Sequence, residues 1–163
     1  MPIAKLMSRD ETMDVTIESY AYAYPDADNM HDASWHRNWV GLHTPDHRIT
    51  FDDIMLDSLI VARYISVFES FVAGVVSEVV FAPTEPFVSL VLVRRDLDGD
   101  EVIVNGYLEH PLGNEAEALD IKFETSVANV KRFLEGLRDI AIEFPVRELE
   151  SDLKQENRHK KTP

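Results

Sequence analysis

Apolar and polar residues alternate with a period of two through most of this chain, and only two stretches break into the three-to-four residue period of a helix. That mixture leaves an α+β fold as the consistent solution. Val15, Ile17 and Ser19 alternate with Thr16, Glu18 and Tyr20, and the run continues through Tyr22 and Tyr24 to Pro25, which predicts a first strand of about ten residues. Pro25 to Asn29 reads as a turn. A second strand is predicted over Ser34 to Leu42, with Trp35, Arg37 and Trp39 on one face and His36, Asn38 and Val40 on the other; Thr44-Pro45-Asp46 closes it. A third starts near Arg48, with Ile49 and Phe51 on one face, and runs on toward Leu56, leaving Asp52, Asp53 and Asp57 mostly exposed.

Between Ala62 and Gly74 the period changes: Tyr64, Ile65, Phe68, Phe71, Val72 and Val75 recur at helical steps, and Gly74 suits a helix end. Strands follow at Glu78 to Phe81 and Phe87 to Arg95. The second of these contains Val88-Ser89-Leu90-Val91-Leu92-Val93, apolar enough on both faces to be central in a sheet. Asp98-Gly99 turns the chain into a hairpin partner, Val102 to Leu108. After a loop at His110 to Asn114, Leu119, Ile121 and Phe123 mark a last strand. Ser126 is a good N-cap for a helix whose apolar stripe is Val127, Val130, Phe133, Leu134, Leu137, Ile140 and Ala141, ended by Pro145. The expectation is one α+β domain over residues 1–147. It has a mainly antiparallel sheet of about six to seven strands, with a sandwich among its possible forms, and two amphipathic helices. Residues 148–163 are expected to be a disordered or frayed tail.

A chain of 163 residues can bury about 70% of its unfolded surface and needs no staple to fold. Cysteine is absent, which removes disulfides, thiolate nucleophiles and thiolate metal sites together. No segment reaches the roughly 18 apolar residues of a membrane span, and the N-terminus lacks a secretory pattern, so the expected compartment is the cytoplasm. The net charge of −14 opposes binding to nucleic acid or anionic lipid and favours a cationic partner. Residues 147–163 are nearly balanced in charge, so the excess belongs to the folded body.

Catalytic patterns are missing. No serine lies in a Gly-x-Ser-x-Gly turn, and the six glycines are too scattered for a phosphate-binding loop. His31, His36, His43 and His47 lie among Asp26, Asp28, Asp32 and Asp46, side chains that a metal accepts. Their spacing puts them in and beside loops instead of on one rigid face, so surface histidines are expected and no metal or cofactor is assigned. Asp96-Leu97-Asp98-Gly99-Asp100-Glu101 begins like a calcium loop, but Glu101 stands where the turn glycine belongs and Tyr107 where the bidentate glutamate belongs. Trp35 and Trp39, with Tyr20, Tyr22 and Tyr24 nearby, suit either an aromatic binding surface or a core wall, and their bulk argues for packing. His31, Trp35, His36 and Trp39 are the candidate residues if the chain is a small-ligand or metal-binding module.

Four stretches carry a resemblance: Asp32-Ala33-Ser34-Trp35 after an acidic turn; the helix with Phe68 and Phe71; Glu85-Pro86-Phe87-Val88-Ser89-Leu90; and Ile121-Lys122-Phe123-Glu124-Thr125-Ser126 leading into Val130, Phe133, Leu134 and Leu137. In order and spacing over residues 14–142 the chain resembles the WapI-type immunity proteins of bacterial contact-dependent toxin systems. Ser34 stands where that pattern has Asn, and His36 where an apolar residue is usual. The resemblance implies a protein without enzymatic activity that binds and neutralises a cognate toxin domain, often a nuclease. A basic toxin cleft would be met by exposed carboxylates. Asp26, Asp28, Asp32, Asp52, Asp53, Asp57, Asp96, Asp98 and Asp100, in loops and at strand ends, are therefore the expected contact residues.

Overall fold

The computed structural model describes residues 1–83, 85, 87–109 and 118–149. The predicted loop at His110 to Asn114 and nearly all of the predicted tail lie outside them. The elements in chain order are β1 (Ile3–Met7), β2 (Asp14–Tyr22), α1 (Met30–Ala33), β3 (Trp35–His43), β4 (Arg48–Asp57), α2 (Ser58–Val72), β5 (Glu78–Phe81), β6 (Val88–Arg94), β7 (Glu101–Glu109), β8 (Ala118–Ser126) and α3 (Val127–Glu143). The strands form two separate four-stranded antiparallel sheets, β1-β2-β3-β4 and β5-β6-β7-β8. The fold class is the expected one, but the count is eight strands and three helices among the described residues.

The two additions are the elements with the weakest periodic signal. β1 shows only Ala4 and Leu6 as buried positions and pairs with β2 through Ile3–Glu18 and Met7–Asp14. Its other side is closed by α3, which lies so near that a methyl at Gly136 would overlap Ile3 O and Ala4 Cα. α1 is a single turn directly after the predicted Pro25 to Asn29 turn, and its N-cap Asn29 accepts from the Asp32 amide at 2.8 Å.

α2 begins four residues earlier than its apolar stripe suggests, because β4 runs straight into it at Asp57. The Asp57 side chain accepts from the Ile60 amide at 2.9 Å and is only 3% exposed. This corrects the expectation that Asp57 faces solvent: a carboxylate that satisfies an otherwise unpaired helical N–H is held inside by that bond. At the other end Gly74 has φ +76. The Val75 amide donates to Ser70 O at 3.0 Å and that of Gly74 to Phe71 O at 3.2 Å, the paired bonds of a Schellman stop.

Both sheets and both long helices share one apolar core. Phe68 of α2, Phe81 of β5 and Phe133 of α3 meet there with ring centroids 5.4 to 6.3 Å apart. β6 is an inner strand as predicted, with Val88, Leu90 and Leu92 buried. Its last residue, Arg94, is 7% exposed and donates to Phe71 O, Val72 O, Leu97 O and Gly99 O at 2.7 to 3.2 Å. A guanidinium placed on the last carbonyls of α2 answers the negative end of the helix and ties it to the β6–β7 hairpin.

Candidate interaction site

The register of the first sheet sorts the acidic residues. Met7 pairs with Asp14 and His43 with Arg48 at one end, whereas Tyr22 pairs with His36 and Trp35 with Asp57 at the other. At this second end the β2–α1 loop, Trp35 and the β4 segment Asp53–Ile54 enclose an open groove of about 880 Å³. Asp26, Asp28, Asp32, Asp53 and Glu85 line it together with Tyr24 and Trp35. Tyr24 is 47% exposed, and His31 stacks on Trp35 with ring centroids 6.1 Å apart and planes 18° apart. A β-bulge between Trp35 and Arg37 sets the opening residues of β3 off from the rest of the strand.

Four of the nine carboxylates expected at a contact surface, Asp26, Asp28, Asp32 and Asp53, therefore share one groove. The other five do not join them. Asp52 lies on the outer face of the sheet, where the Tyr20 hydroxyl donates to it at 2.8 Å; burial and this bond push the Tyr20 hydroxyl above its usual range. Asp57 is the buried helix cap. Asp96, Asp98 and Asp100 sit on the β6–β7 hairpin at the opposite end, where Asp100 accepts from the Val127 amide at 3.1 Å and faces Arg9 at 3.5 Å. Glu85, noted in the sequence only as part of the resemblance, was not among the expected contact residues, since nothing in the alternation of its neighbours marks it as facing the β2–α1 loop.

The small-ligand quartet is divided in the same way. Trp35 is half-buried in the groove wall, whereas Trp39 is 42% exposed on the outer sheet face beside Tyr20, so the expectation that it packs inside is corrected. Trp39 shares a second, smaller groove of about 460 Å³ with Glu18, Lys5 and Arg48. His36 is fully buried, not a surface histidine. Its inward strand face places it between Ser19 and Ser58, with Ser19 Oγ to Nδ1 at 3.1 Å and Nε2 to Ser58 Oγ at 2.7 Å.

The bonding directions around His36 form one chain. The Ser58 hydroxyl donates to Phe144 O at 2.7 Å, so it accepts from the imidazole Nε2–H. Nδ1 is then the acceptor for the Ser19 hydroxyl, and Ser19 Oγ accepts from Asn38 Nδ2 at 2.9 Å. Asn38 in turn accepts from the Met55 and Leu56 amides at 3.2 and 2.9 Å. Every group is satisfied by a neutral ring, and burial lowers the His36 pKa to about 4. Ser58 and His36 have the separation of a nucleophile and its base, but both are sealed in the core and the hydroxyl proton is committed to Phe144 O, so the pair meets no substrate. Among the described residues, no three His, Asp or Glu side chains are grouped to hold a metal ion, and no helix is long and apolar enough to cross a membrane.

The groove thus gathers five carboxylates around the ring faces of Tyr24 and Trp35. The chain belongs to the Immunity protein WapI-like family, whose model matches residues 5–145. No curated protein and no solved structure matches it significantly.

Proposed function

We propose that this protein neutralises a cognate toxin domain by stoichiometric binding, without catalysis, and that the groove beside Trp35 receives a cationic part of that domain. The observation that carries the reading is the convergence of Asp26, Asp28, Asp32, Asp53 and Glu85 around Tyr24 and Trp35 in a member of an immunity family. Carboxylates raise the encounter rate with a basic surface, and aromatic faces hold guanidinium or ammonium groups once docked. A toxin that grips a nucleic acid has such a basic surface, and blocking it would protect the cytoplasm in which the immunity protein acts. Among the expected contact residues, this reading keeps Asp26, Asp28, Asp32 and Asp53 and gives no contact role to Asp57. The test is co-expression with the toxin domain encoded beside this protein. Wild type should rescue growth, and the Asp26→Lys, Asp28→Lys, Asp32→Lys triple variant should not. Equal rescue by both would place the interface elsewhere, and death with both would remove the immunity reading.

A further inference from the structure

The rim of the acidic groove is held from behind by a cation. The segment after α3 crosses the Tyr22 end of the first sheet, where the Tyr22 hydroxyl donates to Pro145 O at 2.6 Å and the Arg147 amide donates to Ser34 Oγ at 3.3 Å. The Arg147 guanidinium then reaches three carbonyls of the β2–α1 region: Pro25 O at 3.0 Å, Ala33 O at 3.4 Å and Tyr24 O at 3.5 Å. It also lies over the Tyr22 ring at 5.0 Å. Tyr24 and Pro25 line the groove, and Ala33 stands between its residues Asp32 and Trp35. The bonds are therefore made to the backbone that aims the groove's side chains.

We propose that Arg147 is the positioning residue of this groove, holding Tyr24, Pro25 and Ala33 in the arrangement that a cationic partner meets. The inference rests on the groove being the contact site, but the two can fail separately. It also separates a structural role from a purely electrostatic one by sign. As a bare charge, Arg147 repels a cationic partner, and its neutralisation should strengthen binding. As the clasp of the rim, its loss leaves the β2–α1 loop free to sample other conformations, and the fraction of molecules with a formed groove falls. Lysine keeps the charge but not the planar fork that spans several carbonyls, so it should not restore the clasp.

The experiment compares wild type with Arg147→Gln and Arg147→Lys in the full chain. Amide hydrogen exchange of the free protein should accelerate at least about tenfold at Ala27 and Ala33, whose amides donate to Tyr24 O and Asn29 O, while exchange at Leu90 and Val104 in the core stays unchanged. Unchanged exchange at Ala27 and Ala33 would overturn the proposal, as would acceleration that extends equally to Leu90 and Val104. Titration with a hexalysine peptide supplies the second readout. Both variants should bind it several-fold more weakly than wild type, and a Gln variant that binds as tightly or more tightly would show that Arg147 acts only as a charge. If wild type itself fails to bind hexalysine, the groove is not the cation site, and the exchange data still decide whether Arg147 holds its rim.

Discussion

Acid should destabilise this protein through His36 in a defined pH window. In the folded chain burial holds the imidazole near pKa 4, against an ordinary value of 6.5. Between those values an unfolded chain takes up a proton that the folded chain refuses, so each step toward lower pH favours unfolding. The stabilising contribution is complete above about pH 6.5 and is lost as pH falls to 4. At about 1.4 kcal/mol per pH unit the loss approaches about 3 kcal/mol, a large share of the 5–15 kcal/mol typical of a domain. Urea unfolding of wild type and His36→Asn at pH 7.5 and pH 4.5 isolates this contribution, because carboxylate titrations common to both cancel in the difference. Wild type should be the more stable at pH 7.5, and its advantage should shrink by about 2–3 kcal/mol at pH 4.5. Parallel losses in the two proteins would refute the reasoning, as would a folded-state His36 that titrates near 6.5 by NMR. A ring in the Nδ1–H tautomer would refute the assigned bond directions.

Substitutions at three further positions test the packing and the helix cap. Phe133→Ala should cost about 3–5 kcal/mol in a urea melt, since the ring is fully buried against Phe68 and Phe81; a loss below about 1 kcal/mol would mean that α3 is not docked there. Gly136→Ala adds a methyl against β1 backbone and should destabilise by about 1–3 kcal/mol, with amide exchange accelerating first at Ala4 and Leu6; a neutral result would contradict the close approach. Asp57→Ala removes the cap of α2 and should cost about 1 kcal/mol, whereas Asp57→Asn, which retains an acceptor, should recover most of it.

Much of the fold was legible because period-two alternation records which side of a strand is buried. Val15, Ile17, Leu90, Leu92 and Ile121 lie inside as read, and on α3 the helical period does the same for Phe133. What the pattern missed was decided by partners distant in sequence. β1 is a strand because β2 and α3 enclose it, and Ala4 and Leu6 are too few to signal that alone. Asp57 looked exposed by charge, yet a local helical N–H holds it in. His36 and Asn38 share a strand face with Val40 as read, but that face is the buried one although a surface histidine was expected; a polar residue on an inward face becomes intelligible only when its partners are known, and Ser19 and Ser58 come from two other elements. The groove was legible only in part. Local sequence made Asp26, Asp28 and Asp32 neighbours, whereas Asp53 and Glu85 join them through strand pairing and a returning loop, and Asp100 left the set because Arg9 and the start of α3 engage it.

The central claim is that carboxylates at the Trp35 end of the first sheet draw in a basic partner domain. Stopped-flow association with the proposed cognate toxin domain, measured at low and at physiological salt, tests it directly. Replacing Asp26, Asp28 and Asp32 together by Lys should lower the association rate at least about tenfold at low salt, with the gap narrowing as salt screens the encounter. The same change at Asp96 and Asp98, on the hairpin at the far end, should leave the rate within about twofold at physiological salt, where charges more than about 8 Å from the contact are largely screened. An unchanged rate in the groove variant, or an equal loss in the hairpin variant, would contradict the account.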